Sequence, residues 1–226
     1  MVGLLEKIAN TIYPPKCIFC KKPLGNDIAL HICSACYAKL PFSREALLPV
    51  LEDEAAGWCD GAVSVFQYTG MAKDSLIRFK FYNKPSYYRT FARLLAYRLK
   101  KITDIKQYDM VISVPLHRQK EFARGYNQAY LLSRALSREL KLPEGSNLLK
   151  REKYTSSQSL LNKQNRQENI KGAFLANAPA KVEGKSILLV DDILTTGSTL
   201  EECSRMLKQA GVIKVIAAVV ATGRKY

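Results

Sequence analysis

A chain of 226 residues, 47% hydrophobic and 24% charged, is long enough for one α/β domain with a small appendage. Its composition is that of a chain with a buried core and excludes a fibrous or disordered protein. The aliphatic run Val215–Ala221 is strand-sized against the ~20 residues of a membrane span, and the formal charge of +15 either serves solubility or draws polyanions: nucleic acid, phosphorylated small molecules, an anionic membrane surface.

In MVGLLEKIANTIYPP, Leu4, Ile8 and Ile12 fall at helical spacing, which predicts a short docking helix stopped at Pro14-Pro15. The stretch lacks a long apolar centre and a small-residue cleavage site, so no secretory leader and a cytoplasmic location are expected. Next come Cys17-x2-Cys20 and Cys33-x2-Cys36, the spacing of a structural four-thiolate zinc site. Each C-x-x-C turn aims two sulfurs at one point, and metal binding then supplies folding free energy to a segment too short for its own core. A pair of disulfides would need an oxidising compartment that nothing in the chain supports, and a thioredoxin-like redox pair would need a βαβ setting that is missing. His31 is a possible substitute ligand, although four thiolates suffice; Cys59 and Cys203 read as packing residues.

Three regions follow: residues 1–40, the helix and zinc ribbon; 41–58, a linker; and 59–226, the main domain. In the last, strands are expected at Val63–Tyr68, Met110–Pro115, Ser186–Val190 and Val212–Ala221. Helices are expected at Met71–Phe81, Ser86–Lys101, Asn127–Leu140 and Ser198–Gln209. The alternation argues for a mostly parallel sheet flanked by helices.

Ligands of such sheets bind beyond the carboxyl ends of the strands, where Asp191 and Asp192 are expected. Thr195, Thr196, Gly197, Ser198 and Thr199 then form the turn into a helix whose first N–H groups are unpaired and partly positive, a natural phosphate cradle. There is no G-x-x-x-x-G-K-[ST] loop. Two acids ahead of a phosphate turn suit a sugar phosphate, with carboxylates on the hydroxyls. A plain helix cap would account for one hydroxyl residue there, not for the whole turn.

The second expected site segment is Val114-Pro115-Leu116-His117. With Arg118, Lys120 and Arg124 behind it, this segment can cradle pyrophosphate through planar and point-like cations. His117 is either a hydrogen-bond donor or general acid on departing pyrophosphate, or a hydrogen-bonded structural residue. The polar stretch 154–169 is either a lid carrying Arg166 and Asn169 over the site or an ordinary solvated loop. In FKFYNKPSYYR (79–89), aromatics between cations can stack bases, or else pack inward.

The stretch ILLVDDILTTGSTL (187–200) resembles, throughout, the 5-phosphoribosyl-1-pyrophosphate (PRPP) motif of type I phosphoribosyltransferases. That resemblance implies Asp191 and Asp192 on the ribose 2′- and 3′-hydroxyls, residues 195–199 on the 5′-phosphate, and Mg²⁺ accompanying PRPP. SVPLHRQKEFARGYNQ (113–128) is similar to a signature of the ComF family of competence proteins. Arg151, Thr155 and Gln158, then Arg166 and Asn169, then Gly172-Ala173-Phe174 resemble that family's middle region, and Tyr68-Thr69-Gly70 and Leu76–Phe81 also fit it. The likeness covers nearly the whole chain. It implies a type I phosphoribosyltransferase-like fold with a zinc ribbon, and a role with incoming single-stranded DNA in natural transformation.

Departures from the family are specific. Only Cys59 stands where many relatives carry a second ribbon, so one zinc is expected; Asn83 replaces a frequent Gly, and Lys120 a frequent Arg. Three functions are therefore in view. One is a PRPP-binding competence factor acting on single-stranded DNA, another a phosphoribosyltransferase for a base or amine. The third is a non-catalytic module docking a DNA-uptake helicase or channel protein.

Overall fold

The computed structural model describes residues 14–25, 30–51, 57–153 and 170–224. The expected docking helix and the segment 154–169 lie outside them. The core is a four-stranded parallel sheet in the order β1-β6-β5-β2, built from β1 (Ala62–Gln67), β2 (Met110–Ser113), β5 (Ser186–Leu194) and β6 (Lys214–Thr222). Its central strands are near-continuous aliphatic runs because both faces are covered: Leu188 pairs Ile216 and Ile112 pairs Leu189 in the ladder, all four essentially inaccessible.

One face is covered by α2 (Gly70–Phe81), α3 (Tyr87–Ile102) and α5 (Gln128–Leu140), whose Phe79, Phe91, Leu95, Leu132 and Leu136 are fully buried with Val63, Leu188 and Val190. The other face carries α6 (Ser198–Gln209) and an antiparallel hairpin of β3 (Leu149–Arg151) and β4 (Phe174–Ala176), packing Leu200, Cys203, Leu207, Leu149 and Phe174 against Ile187 and Leu189.

The structure differs from the sequence expectation in three places. First, β5 does not stop at Val190: β6 is long enough to keep pairing it, through Asp191↔Val219 and on to Leu194↔Thr222. Its other neighbour, β2, ends opposite Val190 at Ser113, so both aspartates stand inside a strand that has lost one partner. Second, the expected pyrophosphate loop contains a helix, α4 (Arg118–Arg124), capped by His117 and ended by Gly125 at φ 80°. Third, β3 and β4 are three residues each, too short to show an alternation in sequence.

The N-terminal segment, with its single-turn α1 (Ser34–Tyr37), shares the first core. Ile18, Phe19, Leu24, Ile32 and Leu40 are buried with Val65, Phe66 and Leu76, and Phe19 meets Phe66 edge-on at 6.0 Å. Arg78 of α2 donates to the carbonyls of Ile18 (2.9 Å) and Phe19 (3.0 Å). Of the expected linker, residues 41–51 lie along β1, bridging Phe42 to Phe66 and Leu48 to Ala62 in antiparallel sense, which covers the sheet's edge. No described helix is long and apolar enough to cross a membrane.

Candidate functional site

Where β5 runs past the end of β2, a cleft of ≈ 570 Å³ opens at the carboxyl end of the sheet. Neighbouring residues of a strand face opposite sides of the sheet, and the two aspartates follow this. Asp192, 4% exposed, turns toward α2, where Lys80 Nζ reaches both carboxylate oxygens at 2.9 Å. Asp191 turns toward Arg151 of β3 and Cys203 of α6. Burial, then the charge of Asp192, pushes the Asp191 carboxyl up to about 7, against the lowering pull of Lys80, the Asp192 N–H and Arg151. The Asp192 N–H donates to Asp191 Oδ1 at 2.8 Å.

The turn after β5 is shaped from beneath. Gly197 sits at φ 84°, and a Cβ there would be driven into the carbonyl oxygen of Val50. Arg224, 6% exposed, donates to the carbonyls of Thr195 (3.1 Å) and Thr196 (2.8 Å), and on its other side to those of Pro49 (2.8 Å) and Val50. With those carbonyls held back, the turn presents its amide and hydroxyl groups at the amino end of α6, a geometry that accepts a phosphate. Thr195, Thr196, Gly197 and Thr199 line the cleft. Ser198 does not; its hydroxyl lies 3.1 Å from that of Thr196 and supports it.

Across the cleft, Val114, Pro115 and Leu116 lead into α4, which places Lys120 and Arg124 one turn apart on the lining face. Burial, then Arg151 and Arg124, lowers the Lys120 pKa, the mark of a crowded cationic site. Arg124 donates to Gln128 Oε1 at 3.3 Å and stacks over Phe81 at 5.2 Å. His117 is not among the lining residues: its Nδ1 accepts the Gln119 N–H at 3.3 Å, so it caps α4. Arg166 and Asn169 lie outside the described residues. The structure adds Tyr68, Lys80 and Arg151 to the lining. They come from segments already matched to the family but carry no local mark of a site.

Cys17, Cys20, Cys33 and Cys36 bring their sulfurs within 4.8 Å of one another. The Cys20–Cys33 sulfur separation of 3.7 Å is that of two thiolates on one tetrahedral ion, about 3.8 Å for a 2.3 Å metal–sulfur bond. The first knuckle is a tight loop, with Lys21 N–H donating to Cys17 O and Cys17 N–H to Lys22 O, both at 2.9 Å; Lys21 takes φ 66°. Burial raises the Cys17 thiol, but the N–H groups of Cys20, Cys33 and Phe19 outweigh it and bring it to about 7. Burial, then the neighbouring thiols, pushes Cys36 up to about 12. Such a set, unpaired by disulfides, fits a metal that takes thiolates together. Cys59 and Cys203 are buried and stand apart from this cluster, as expected.

A parallel sheet with paired acids and a hydroxyl-rich turn at its carboxyl end defines a phosphoribosyltransferase-like protein, and residues 127–226 match the family described as phosphoribosyl transferase domain. The wider comparison is more specific. The chain is similar to competence protein F of Haemophilus influenzae, 36% identical over 203 residues, 88% of this chain and 86% of that one. It is similar to the DNA utilization protein YhgH of Salmonella typhimurium, 31% identical over 218 residues, 89% of this chain and 94% of that one. Competence protein ComFC of Bacillus subtilis is 28% identical over 148 residues, 66% and 58% of the two chains. The chain belongs to the ComF family.

Proposed function

We propose that the cleft binds PRPP together with Mg²⁺, and that the chain serves natural competence by handling single-stranded DNA, with PRPP as substrate or effector. The observation that carries this reading is the union of Asp191, Asp192 and the Thr195–Thr199 turn in one cleft with the cations Lys120 and Arg124 opposite. In this reading the turn takes the 5′-phosphate and the aspartates take the ribose hydroxyls. Pro115 and Leu116, with Lys120 and Arg124, take the diphosphate. His117 acts by holding α4 in place.

The Asp191 carboxylate at the cleft floor offers oxygen, the donor a hard cation prefers, and Mg²⁺ takes one or two carboxylates beside substrate phosphates, so the residues fit Mg²⁺ carried on the diphosphate. With PRPP bound, Mg²⁺ would supply charge neutralisation to the diphosphate. If C1 of the ribose is attacked, positive charge grows on the ring and the carboxylates face it, while the departing diphosphate is met by the α4 cations. In the ribbon, the four-cysteine centre is read as a structural zinc site.

The case for nucleic acid is the cleft's rim. Phe81, which lines the cleft, and Tyr82 beside it are 63% and 65% exposed and lie between Lys80 and Lys84 in sequence. Exposed rings between cations suit stacked bases with flanking phosphates. The testing experiment is pyrophosphate release from PRPP and Mg²⁺ with single-stranded DNA, free bases or simple amines added in turn. Release triggered by DNA supports PRPP as substrate. Release triggered only by a base or amine replaces the competence reading with an ordinary transferase.

A further inference from the structure

Among the described residues, Lys80 is the charged side chain that α2 brings to the cleft, and it arrives already engaged. Its ammonium reaches both oxygens of Asp192 at 2.9 Å, and Asp192 is nearly inaccessible. The lysine's backbone is fixed from two sides. Tyr126 donates its hydroxyl to the carbonyl of Phe79, and Gln128 Nε2 donates to the carbonyl of Lys80 at 3.4 Å. Phe79 itself is fully buried between Phe91 and Tyr126, at 5.7 and 6.0 Å. Arg124 in turn holds Gln128. The segment Arg124-Gly125-Tyr126-Asn127-Gln128 thus does more than follow the α4 cations: it anchors the end of α2 and aims Lys80 at Asp192.

We infer that Lys80 is a ligand-positioning residue that serves as the resident cation of Asp192, so that this carboxylate holds a sugar hydroxyl without a divalent ion of its own. The inference rests on the cleft being a sugar-phosphate site. Its physical reason is charge. A desolvated carboxylate needs a cation or several donors to stay ionised and aligned, and a bidentate ammonium supplies this while leaving lone pairs on both oxygens for a hydroxyl. A metal at Asp192 would have to displace a cation anchored through a helix end. Among the described residues lining the cleft, Lys80, Lys120, Arg124 and Arg151 also outnumber the two aspartates, so a phosphorylated sugar meets positive charge before any metal arrives. Divalent ions are then required for the diphosphate of PRPP, not for the sugar end.

The test is calorimetric titration of ribose 5-phosphate, which carries the hydroxyls and the phosphate but no diphosphate, in EDTA and in Mg²⁺. The wild type is expected to bind in EDTA, with Mg²⁺ changing affinity by less than about threefold. Lys80→Met should weaken binding in EDTA by about tenfold to a hundredfold, the loss of one charge-assisted contact, with partial recovery in Mg²⁺. Lys80→Arg, which keeps the charge and the fold, should retain Mg²⁺-independent binding. Equal affinity of Lys80→Met and wild type, or a wild type that binds ribose 5-phosphate only with Mg²⁺, overturns the inference alone. PRPP with Mg²⁺ is the control: a wild type that binds neither ligand under any condition overturns the reading of the cleft as well.

Discussion

The guanidinium of Arg224 lies 2.8 Å from the carbonyl oxygen of Thr196, and through its other nitrogens it reaches Thr195, Pro49 and Val50. One buried cation therefore ties the Thr195–Thr199 turn to the segment that joins the cysteine centre to the sheet. Replacing it by Gln leaves several carbonyls without donors, a loss of about 2–4 kcal/mol by chemical denaturation. Phosphate affinity should fall with it, because the turn's carbonyls are free to rotate into the cradle. An Arg224→Gln protein with unchanged stability and phosphate binding contradicts this account of the turn.

Asp191 gives the protein a pH signature. Its folded pKa, about 7, lies above the roughly 3.9 of an unfolded aspartate, so between those values the folded state holds the extra proton. Its contribution to stability is complete below pH ~4 and is lost as pH rises through about 7. Asp191→Asn should remove this dependence and raise the melting temperature most above neutrality. Hydroxyl and cation binding favours the ionised carboxylate, so PRPP affinity of the wild type should strengthen over the same pH range. A melting difference between variant and wild type that does not change from pH 5 to 8 rules out the shift.

The cysteine centre should matter beyond the ribbon. Ile18 and Phe19 sit in the same core as Phe66, and Arg78 is bonded to their carbonyls. Loss of the metal, by chelation or by Cys33→Ser, is expected to cost about 3–5 kcal/mol, a fall of roughly 6–20 °C in melting temperature. Elemental analysis should return one zinc per chain. A protein without zinc that melts like the loaded form contradicts the structural role.

Tyr82, 65% exposed just past the end of α2 and next to the lining residue Phe81, has little packing to lose. If the rim stacks single-stranded DNA, Tyr82→Ala should weaken binding about fivefold to a hundredfold with little change in melting. Equal DNA binding by filter or anisotropy titration removes Tyr82 from the DNA path.

Much of this was legible in the sequence, for reasons that differ by residue. β5 and β6 announce themselves because parallel strands covered on both faces must be aliphatic throughout. The cysteine spacing announces a metal because each knuckle is local. The true end of β5 was hidden: Asp191 and Asp192 read as a polar terminus, and only pairing with β6 carries the strand on to Leu194. The short α4 read as a loop, since its seven residues show the cations and little apolar period. Lys80 and Arg224 were hidden most deeply. Their partners lie 112 and 28 or more residues away, and nothing beside them in the chain marks the meeting.

The most direct test of the central claim is calorimetric titration of PRPP and Mg²⁺ into the zinc-loaded protein, beside an Asp191→Asn/Asp192→Asn variant that melts cooperatively. The account predicts a single-site isotherm for the wild type that the variant loses. No heat of binding from a folded wild type, or an isotherm the variant shares, would contradict the assignment of this cleft to PRPP.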